Sequence, residues 1–294
     1  MSRGRIALLS LIGVSAVWGA TFPLVKDAVE QIPVTTFLGY RFTVAAIVAA
    51  VVFRKQFLSL SPAGWKAGAL MGVFLTAGYL FQTFGLERTT SSNAGFITGM
   101  SVVLTPLFGA LLLRHRIGAP GWIAAVVASL GLYLLSGGSD SVQVVGDLLV
   151  FGCAVSFSFH ILVTDPAVKL HDVSGLLVVQ LGLCGLVCLG LAGAQEDLVV
   201  PSGGGVWIAL AITAIFASVV GFYIQAFAQQ HAPPARTALI LASEPAFAGL
   251  FAWILKGETL DATGWLGAAL IMAAIVTVEL IPYLRTPQHP LPEA

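Results

Sequence analysis

Long runs of apolar residues, separated by short polar connections, follow one another along the whole chain. A helix needs about 20 predominantly apolar residues to cross the hydrocarbon core of a bilayer, and ten runs approach that length. They cover residues 6–25, 34–53, 67–86, 94–113, 119–136, 146–164, 173–194, 206–228, 237–255 and 264–281. The pattern predicts an all-α polytopic membrane protein with ten transmembrane helices.

The composition excludes an ordinary soluble protein. Hydrophobic residues make up 57% of the chain and charged residues 10%, against about 25% charged in a typical soluble domain. The net charge is zero, so no basic excess points to nucleic acid. The three cysteines lie inside apolar runs without metal-ligand spacing. We therefore expect the lipid bilayer and a small-molecule substrate as partners, no nucleic acid, no metal and no cofactor; no pattern defines an oligomeric partner.

The distribution of positive charge predicts the orientation of the chain. With the N-terminus inside, ten of the 14 Lys and Arg residues fall on the cytoplasmic side and three on the opposite side. The cytoplasmic set consists of Arg3, Arg5, Arg54, Lys55, Lys66, Arg114, Arg116, Lys169, Arg236 and Arg285. Because cytoplasmic loops carry an excess of Lys and Arg, we expect both termini in the cytoplasm. As a separate expectation, we place the chain in a bacterial cytoplasmic (inner) membrane.

The second half of the chain resembles the first. The motif Gly-x-x-x-Gln-x-Phe begins at Gly78 and again at Gly221, and Pro106 has a counterpart in Pro245. The predicted units are a first five-helix repeat over residues 1–137, a second over 146–284 and a polar cytoplasmic tail over 285–294. Since five is an odd number, the second repeat must enter the membrane in the opposite orientation. Inverted repeats are typical of secondary transporters, which expose a midplane site to each side in turn.

Several short motifs together resemble the drug/metabolite transporter superfamily, specifically its EamA type. They are Trp18-Gly19 with Phe22, Arg41, Pro106, Glu244-Pro245 and Gly257-Glu258. The resemblance extends over nearly the whole chain and implies metabolite transport, commonly the export of amino acids or related compounds. Within the superfamily, the chain looks most like the aromatic amino-acid exporter branch.

Two charged residues lie inside predicted membrane helices. A lone charge such as Arg41 would cost on the order of 3 kcal/mol or more there, so it must face protein, water or a counter-charge. It is either a carboxylate anchor for substrate or a guanidinium that ties helices together through backbone carbonyls. Glu244 is either a proton carrier or a structural carboxyl bonded to helix backbone; its counterpart in the first repeat is the uncharged Thr105.

Other polar and aromatic residues form a candidate substrate cavity. Gln82 and Gln225 occupy equivalent positions of the two repeats and either line a cavity or join neighbouring helices. With them we group the aromatic residues and one histidine that share helix faces or repeat positions with one another: Trp18, Phe22, Tyr79, His160 and Tyr223. Such a cavity suits moderately hydrophobic or aromatic solutes, although aromatic residues in membrane helices also serve as plain packing.

Proline and glycine mark candidate points of motion or close contact. Pro23, Pro106 and Pro245 are candidate hinges, because proline interrupts the backbone hydrogen bonds of a helix. Gly64, Gly68 and Gly72 recur every four residues, a spacing that lets two helices approach closely. Hinge and packing roles stay open for these positions.

The sequence favours a carrier over the alternatives. It contains no Walker A pattern, no His-Glu-x-x-His zinc motif and no paired aspartates for a diphosphate. We therefore predict no enzymatic activity and a secondary transporter that exports small amphipathic metabolites, in particular aromatic or other neutral amino acids, by alternating access. An intramembrane enzyme, a channel-like facilitator and a carrier of a different metabolite or drug are the alternatives.

Overall fold

A computed structural model describes residues 3–89, 91–114, 118–135, 144–195, 198–256 and 261–285. All regular elements within these ranges are helices. The first part of the chain forms α1 (Arg3–Val29), α2 (Val34–Val52), α3 (Arg54–Leu58), α4 (Pro62–Leu86), α5 (Ser91–Gly99), α6 (Ser101–Leu113) and α7 (Ala119–Leu135). The second part forms α8 (Val144–Leu170), α9 (Val173–Ala194), α10 (Gly204–Ile212), a π-helical segment (Thr213–Val220), α11 (Gly221–Gln229), α12 (Pro234–Leu241), α13 (Glu244–Lys256) and α14 (Ala262–Arg285).

Six of the described helices are long and apolar enough to cross a membrane. They cover Ile6–Val29, Val34–Val52, Pro62–Leu86, Val144–Leu170, Val173–Ala194 and Gly204–Gln229. Shorter apolar helices cover Ile97–Leu112, Ala119–Leu134 and Ala262–Thr277. The all-helical membrane fold is thus confirmed, while the count of ten spans and the cytoplasmic termini stay predictions.

The fourth and ninth predicted spans are each divided into two helices. The fourth breaks at Met100, between α5 and α6, and the ninth breaks between Leu241 and Glu244. Pro245 explains the second break: it has no N–H to donate to the carbonyl of Leu241, four residues earlier. Pro106 instead lies inside α6, which continues through it.

The most extensive helix packing pairs α4 with α8, α2 with α9, and α7 with α14. Glycines bring these helices together. A Cβ atom added at Gly131 on α7 would lie 2.6 Å from the carbonyl oxygen of Gly267 on α14, and one added at Gly185 on α9 would lie 2.8 Å from the backbone nitrogen of Thr43 on α2. Contacts this short require glycine, because no side-chain atom fits between the two backbones.

Side-chain caps begin several of the described helices, among them α9 and α14. The carboxylate of Asp172 accepts a hydrogen bond from the backbone N–H of Ser174 at the start of α9. Asp261 accepts from the Thr263 hydroxyl and from the Gly264 N–H, both at 2.7 Å, at the start of α14. These bonds, that of Thr263 first, hold the pKa of the Asp261 carboxyl below its ordinary value.

We expect Gly185→Ala to lower the stability of the protein through the contact between α2 and α9. The added methyl group would press against the backbone of Thr43, and overpacking of this kind costs typically ~1–3 kcal/mol. Gly190→Ala is the matched control, because the same helix leaves open space at Gly190 and alanine favours the helix. Thermal unfolding in detergent should show a lower midpoint for Gly185→Ala alone; equal midpoints would contradict the close contact.

Candidate functional site

A small cavity lies where α1, α2, α4 and the start of α13 meet. Its volume is about 40 Å³, which is room for about three water molecules at roughly 10–15 Å³ each. The residues that line it are Trp18, Thr21, Val25, Arg41, Tyr79, Gln82, Thr83, Leu86 and Glu244. Five of the predicted site residues are thus brought together: Trp18, Arg41, Tyr79, Gln82 and Glu244.

Arg41 is the central cation of this cavity. Its side chain is buried, at 3% exposure, and its Nε donates to the hydroxyl of Ser218 at 3.0 Å while Nη2 donates to the hydroxyl of Tyr79 at 3.2 Å. The guanidinium carbon also lies 4.8 Å from the centre of the Tyr79 ring and 5.0 Å from that of Phe42, within the range of a cation–π contact. The observed partners are thus the hydroxyls of Tyr79 and Ser218 on other elements, the ring of Tyr79 on α4 and the ring of Phe42 on the same helix.

Glu244 contributes the carboxyl group of the same cavity. It is the first residue of α13, is partly buried and lines the cavity beside Arg41. Among the described residues, the ion pair within 4.0 Å is Lys169 with Asp165, so Arg41 and Glu244 face one small space without direct contact. A guanidinium and a carboxyl group held in this way can each form hydrogen bonds to a solute or to water between them.

Tyr79 is the aromatic centre of the site. Its ring packs edge-on against Phe42, Phe157 and Phe222, with centroid distances of 4.9, 5.4 and 6.1 Å. Edge-to-face packing stabilises such clusters beyond simple burial. The cluster fixes the Tyr79 hydroxyl as a partner for Arg41.

Trp18 joins α1 to the π-helical segment. Its indole Nε1 donates to the carbonyl oxygen of Ala217 at 2.8 Å, and its ring lies 5.2 Å from that of Phe222. A Cβ atom added at Gly221 would lie 2.8 Å from that indole nitrogen. The absence of a side chain at Gly221 therefore makes room for the indole.

The two glutamines of the repeat have different surroundings. Gln82 lines the cavity, and its Nε2 donates over 3.5 Å to the hydroxyl of Thr98. Gln225 is buried and donates to Gln229, which in turn donates to the carbonyl oxygen of Ile161 on α8 at 2.7 Å. In this conformation Gln225 takes part in a link between helices.

His160 and Tyr223 also lie apart from the described cavity lining. His160 shares a 2.8 Å hydrogen bond with the side-chain oxygen of Gln180 on α9, and its ring meets Phe222 edge-on at 5.9 Å. Tyr223 stacks on Phe53 at 5.4 Å and 7°. His160 on α8 thus borders the aromatic cluster at Phe222, whereas Tyr223 on α11 packs against Phe53 just after α2.

The predicted hinge residues occupy distinct places. Pro245 follows Glu244 in the first turn of α13, directly beside the cavity, and Pro106 lies within α6. Phe22 and Pro23 belong to α1, but their side chains lie outside the part that the structure describes.

Several residues of the site were missed by the sequence analysis. Thr21 and Val25 lie three and seven positions after Trp18, and Thr83 and Leu86 lie four and seven positions after Tyr79. These intervals place each set on one helix face, so extending the helical spacing from the aromatic residues would have found them. Ser218 had no such signal, because it lies in the π-helical segment where the ordinary spacing fails.

Known proteins agree with this architecture. The model of the EamA-like transporter family matches residues 5–137 and again residues 144–280. An uncharacterized transporter of Archaeoglobus fulgidus is 32% identical over 92% of this chain and 85% of its own length. The uncharacterized inner membrane transporter YedA of Escherichia coli is 24% identical over 94% of this chain and 91% of its own.

A solved crystal structure has the same fold. It covers 96% of this chain and 99% of its own chain with a TM-score of 0.76 at 19% sequence identity. Together with the six helices that can cross a membrane, the family match and the named relatives lead to one conclusion. This chain is a multi-pass membrane transporter that belongs to the EamA-like transporter family.

Proposed function

We propose that the chain is a secondary transporter that exports small amphipathic metabolites, in particular aromatic or other neutral amino acids, across the bacterial cytoplasmic membrane. The observation that carries this proposal is the cavity itself, which combines aromatic rings, a neutral amide, and a guanidinium and a carboxyl group that do not pair. The relative YedA is described as an inner membrane transporter, which supports the location.

The groups of the cavity complement the parts of a neutral amino acid. Arg41 supplies a cation for a carboxylate. Gln82 directs its NH₂ group to Thr98, which leaves its amide oxygen to accept from an ammonium group. Trp18 and Tyr79 offer apolar ring surfaces for the side chain. This division of roles favours an amphipathic zwitterion over an ion of one sign.

The small volume of the cavity supports alternating access. Space for about three waters holds no amino acid, so the helices around it must separate when a substrate enters. We propose that this occurs between two inverted five-helix repeats, residues 1–137 and 146–284, in a ten-helix arrangement with cytoplasmic termini. Two observations support this arrangement. The family model matches the chain twice, and α2 packs on α9 and α7 on α14, each pair being equivalent spans of the two proposed repeats.

Substrate identity is tested with purified protein in liposomes. Counterflow of labelled phenylalanine, with competition by the other amino acids, should show saturable exchange that an excess of unlabelled substrate suppresses. If no amino acid is exchanged or competes, the substrate class is wrong, while membership of the family is unaffected.

We expect Arg41→Gln to weaken exchange of phenylalanine about tenfold or more. The change removes a charge-assisted hydrogen bond, which contributes about 1.5–3 kcal/mol, from the carboxylate of the substrate. Lys169→Gln is the control. It also removes one positive charge, but from a half-exposed ion pair with Asp165 that does not line the cavity. Equal initial rates for the two variants in the counterflow assay would contradict a role for Arg41 in substrate binding.

We expect Glu244→Gln to separate substrate movement from proton movement. Glutamine keeps the size of the side chain but cannot take up and release a proton, so downhill exchange should persist while a pH-sensitive dye inside the liposomes reports no proton flux. Asp261→Asn, an exposed carboxylate at the start of α14, is the control. A parallel loss of both fluxes, or no loss of either, would exclude Glu244 as the coupling group.

A further inference from the structure

The π-helical segment Thr213–Val220 holds two residues of the cavity at once. Neighbouring residues of the segment supply the acceptors: the carbonyl of Ala217 accepts from Trp18 on α1, and the hydroxyl of Ser218 accepts from Arg41 on α2. Both Ala217 and Ser218 are fully buried. Two helices of the first half of the chain are therefore attached to one short irregular stretch of the second.

The irregular register is visible in the backbone. The N–H of Gly221 donates to the carbonyl oxygens of Phe216, five residues earlier, and of Ser218, three residues earlier, whereas in an α-helix it would donate to that of Ala217, four residues earlier. Stretches of this kind are rare and occur frequently at functional sites. The carbonyl of Ala217 accepts a hydrogen bond from the Trp18 indole.

A change of register would break this arrangement. A π-helical stretch holds one residue more than the α-helical stretch that would replace it. Successive residues of an α-helix are about 100° apart around the axis, so removal of that residue would rotate the helix before the segment by about this angle relative to the helix after it. Ala217 and Ser218 could then no longer face Trp18 and Arg41 together. The two contacts and the π register therefore depend on each other.

We propose that the π-helical segment positions the substrate cavity and that Ser218 is a positioning residue, which acts by orienting the Arg41 guanidinium. The carbonyl of Ala217 orients the Trp18 indole in the same way, by accepting its N–H. The proposal rests on the proposed function in taking this cavity as the substrate site. Ser218 is not part of the described cavity lining, yet its hydroxyl would affect the affinity for substrate through Arg41.

Hydrogen exchange of the full chain in lipid nanodiscs tests the positioning contacts without a substrate. Backbone amides over residues 213–222 should exchange about tenfold faster in Ser218→Ala and in Trp18→Phe than in the unmodified protein, because each variant loses a buried hydrogen bond. Ser129→Ala is the control, since that hydroxyl bonds only to Ala125 of its own helix. Unchanged exchange in both Ser218→Ala and Trp18→Phe would overturn the proposal.

Transport kinetics distinguish positioning from simple stabilisation. With labelled phenylalanine as the probe, Ser218→Ala should raise KM about tenfold with little change in maximal rate, and Ser218→Thr, which keeps the hydroxyl, should restore KM. A fall in maximal rate with KM unchanged would overturn the positioning role. If the unmodified protein exchanges no amino acid, the substrate proposal fails, and the hydrogen-exchange measurement alone then decides the role of the segment.

Discussion

A guanidinium buried between membrane helices needs its hydrogen-bond partners from the protein itself, because the bilayer core contains no water to supply them. Arg41 meets this requirement through Tyr79 on α4 and Ser218 on the π-helical segment. Its charge is further supported by the faces of two aromatic rings. The arrangement joins α2, α4 and the segment before α11 at one point, and the cavity lies beside that point.

The same requirement explains the other buried polar contacts. Thr76 and Thr83 donate to carbonyls of their own helix, four residues earlier, which satisfies their hydroxyls without a partner helix. Gln229 donates to the backbone of α8, and His160 bonds to Gln180 on α9. Some buried polar groups thus join helices, as His160 does beside the ring of Phe222, and others are satisfied within their own helix.

The helices pack closely where glycines meet a neighbouring backbone and loosely around the cavity. Along α2 and α9 the backbones approach so closely that a methyl group at Gly185 would meet the backbone of Thr43. Beside Arg41 and Glu244, by contrast, the helices leave space for water. A tightly joined region next to an open polar cavity is an arrangement in which helices can part at the cavity while the glycine contacts hold.

Local features of the sequence were sufficient to predict the class of protein. Apolar length, the low fraction of charge and the short motifs around Trp18, Arg41 and Glu244 predicted a helical membrane transporter of the EamA type, and the family match confirmed it. These properties depend on neighbouring residues alone. The tertiary structure decided which polar residues share a cavity: Gln82 lies in it, and its repeat counterpart Gln225 joins helices instead. It also brought Ser218 to Arg41, 177 positions apart, through a π-helical turn that no hydrophobic periodicity reveals, because such a contact depends on the mutual packing of distant helices.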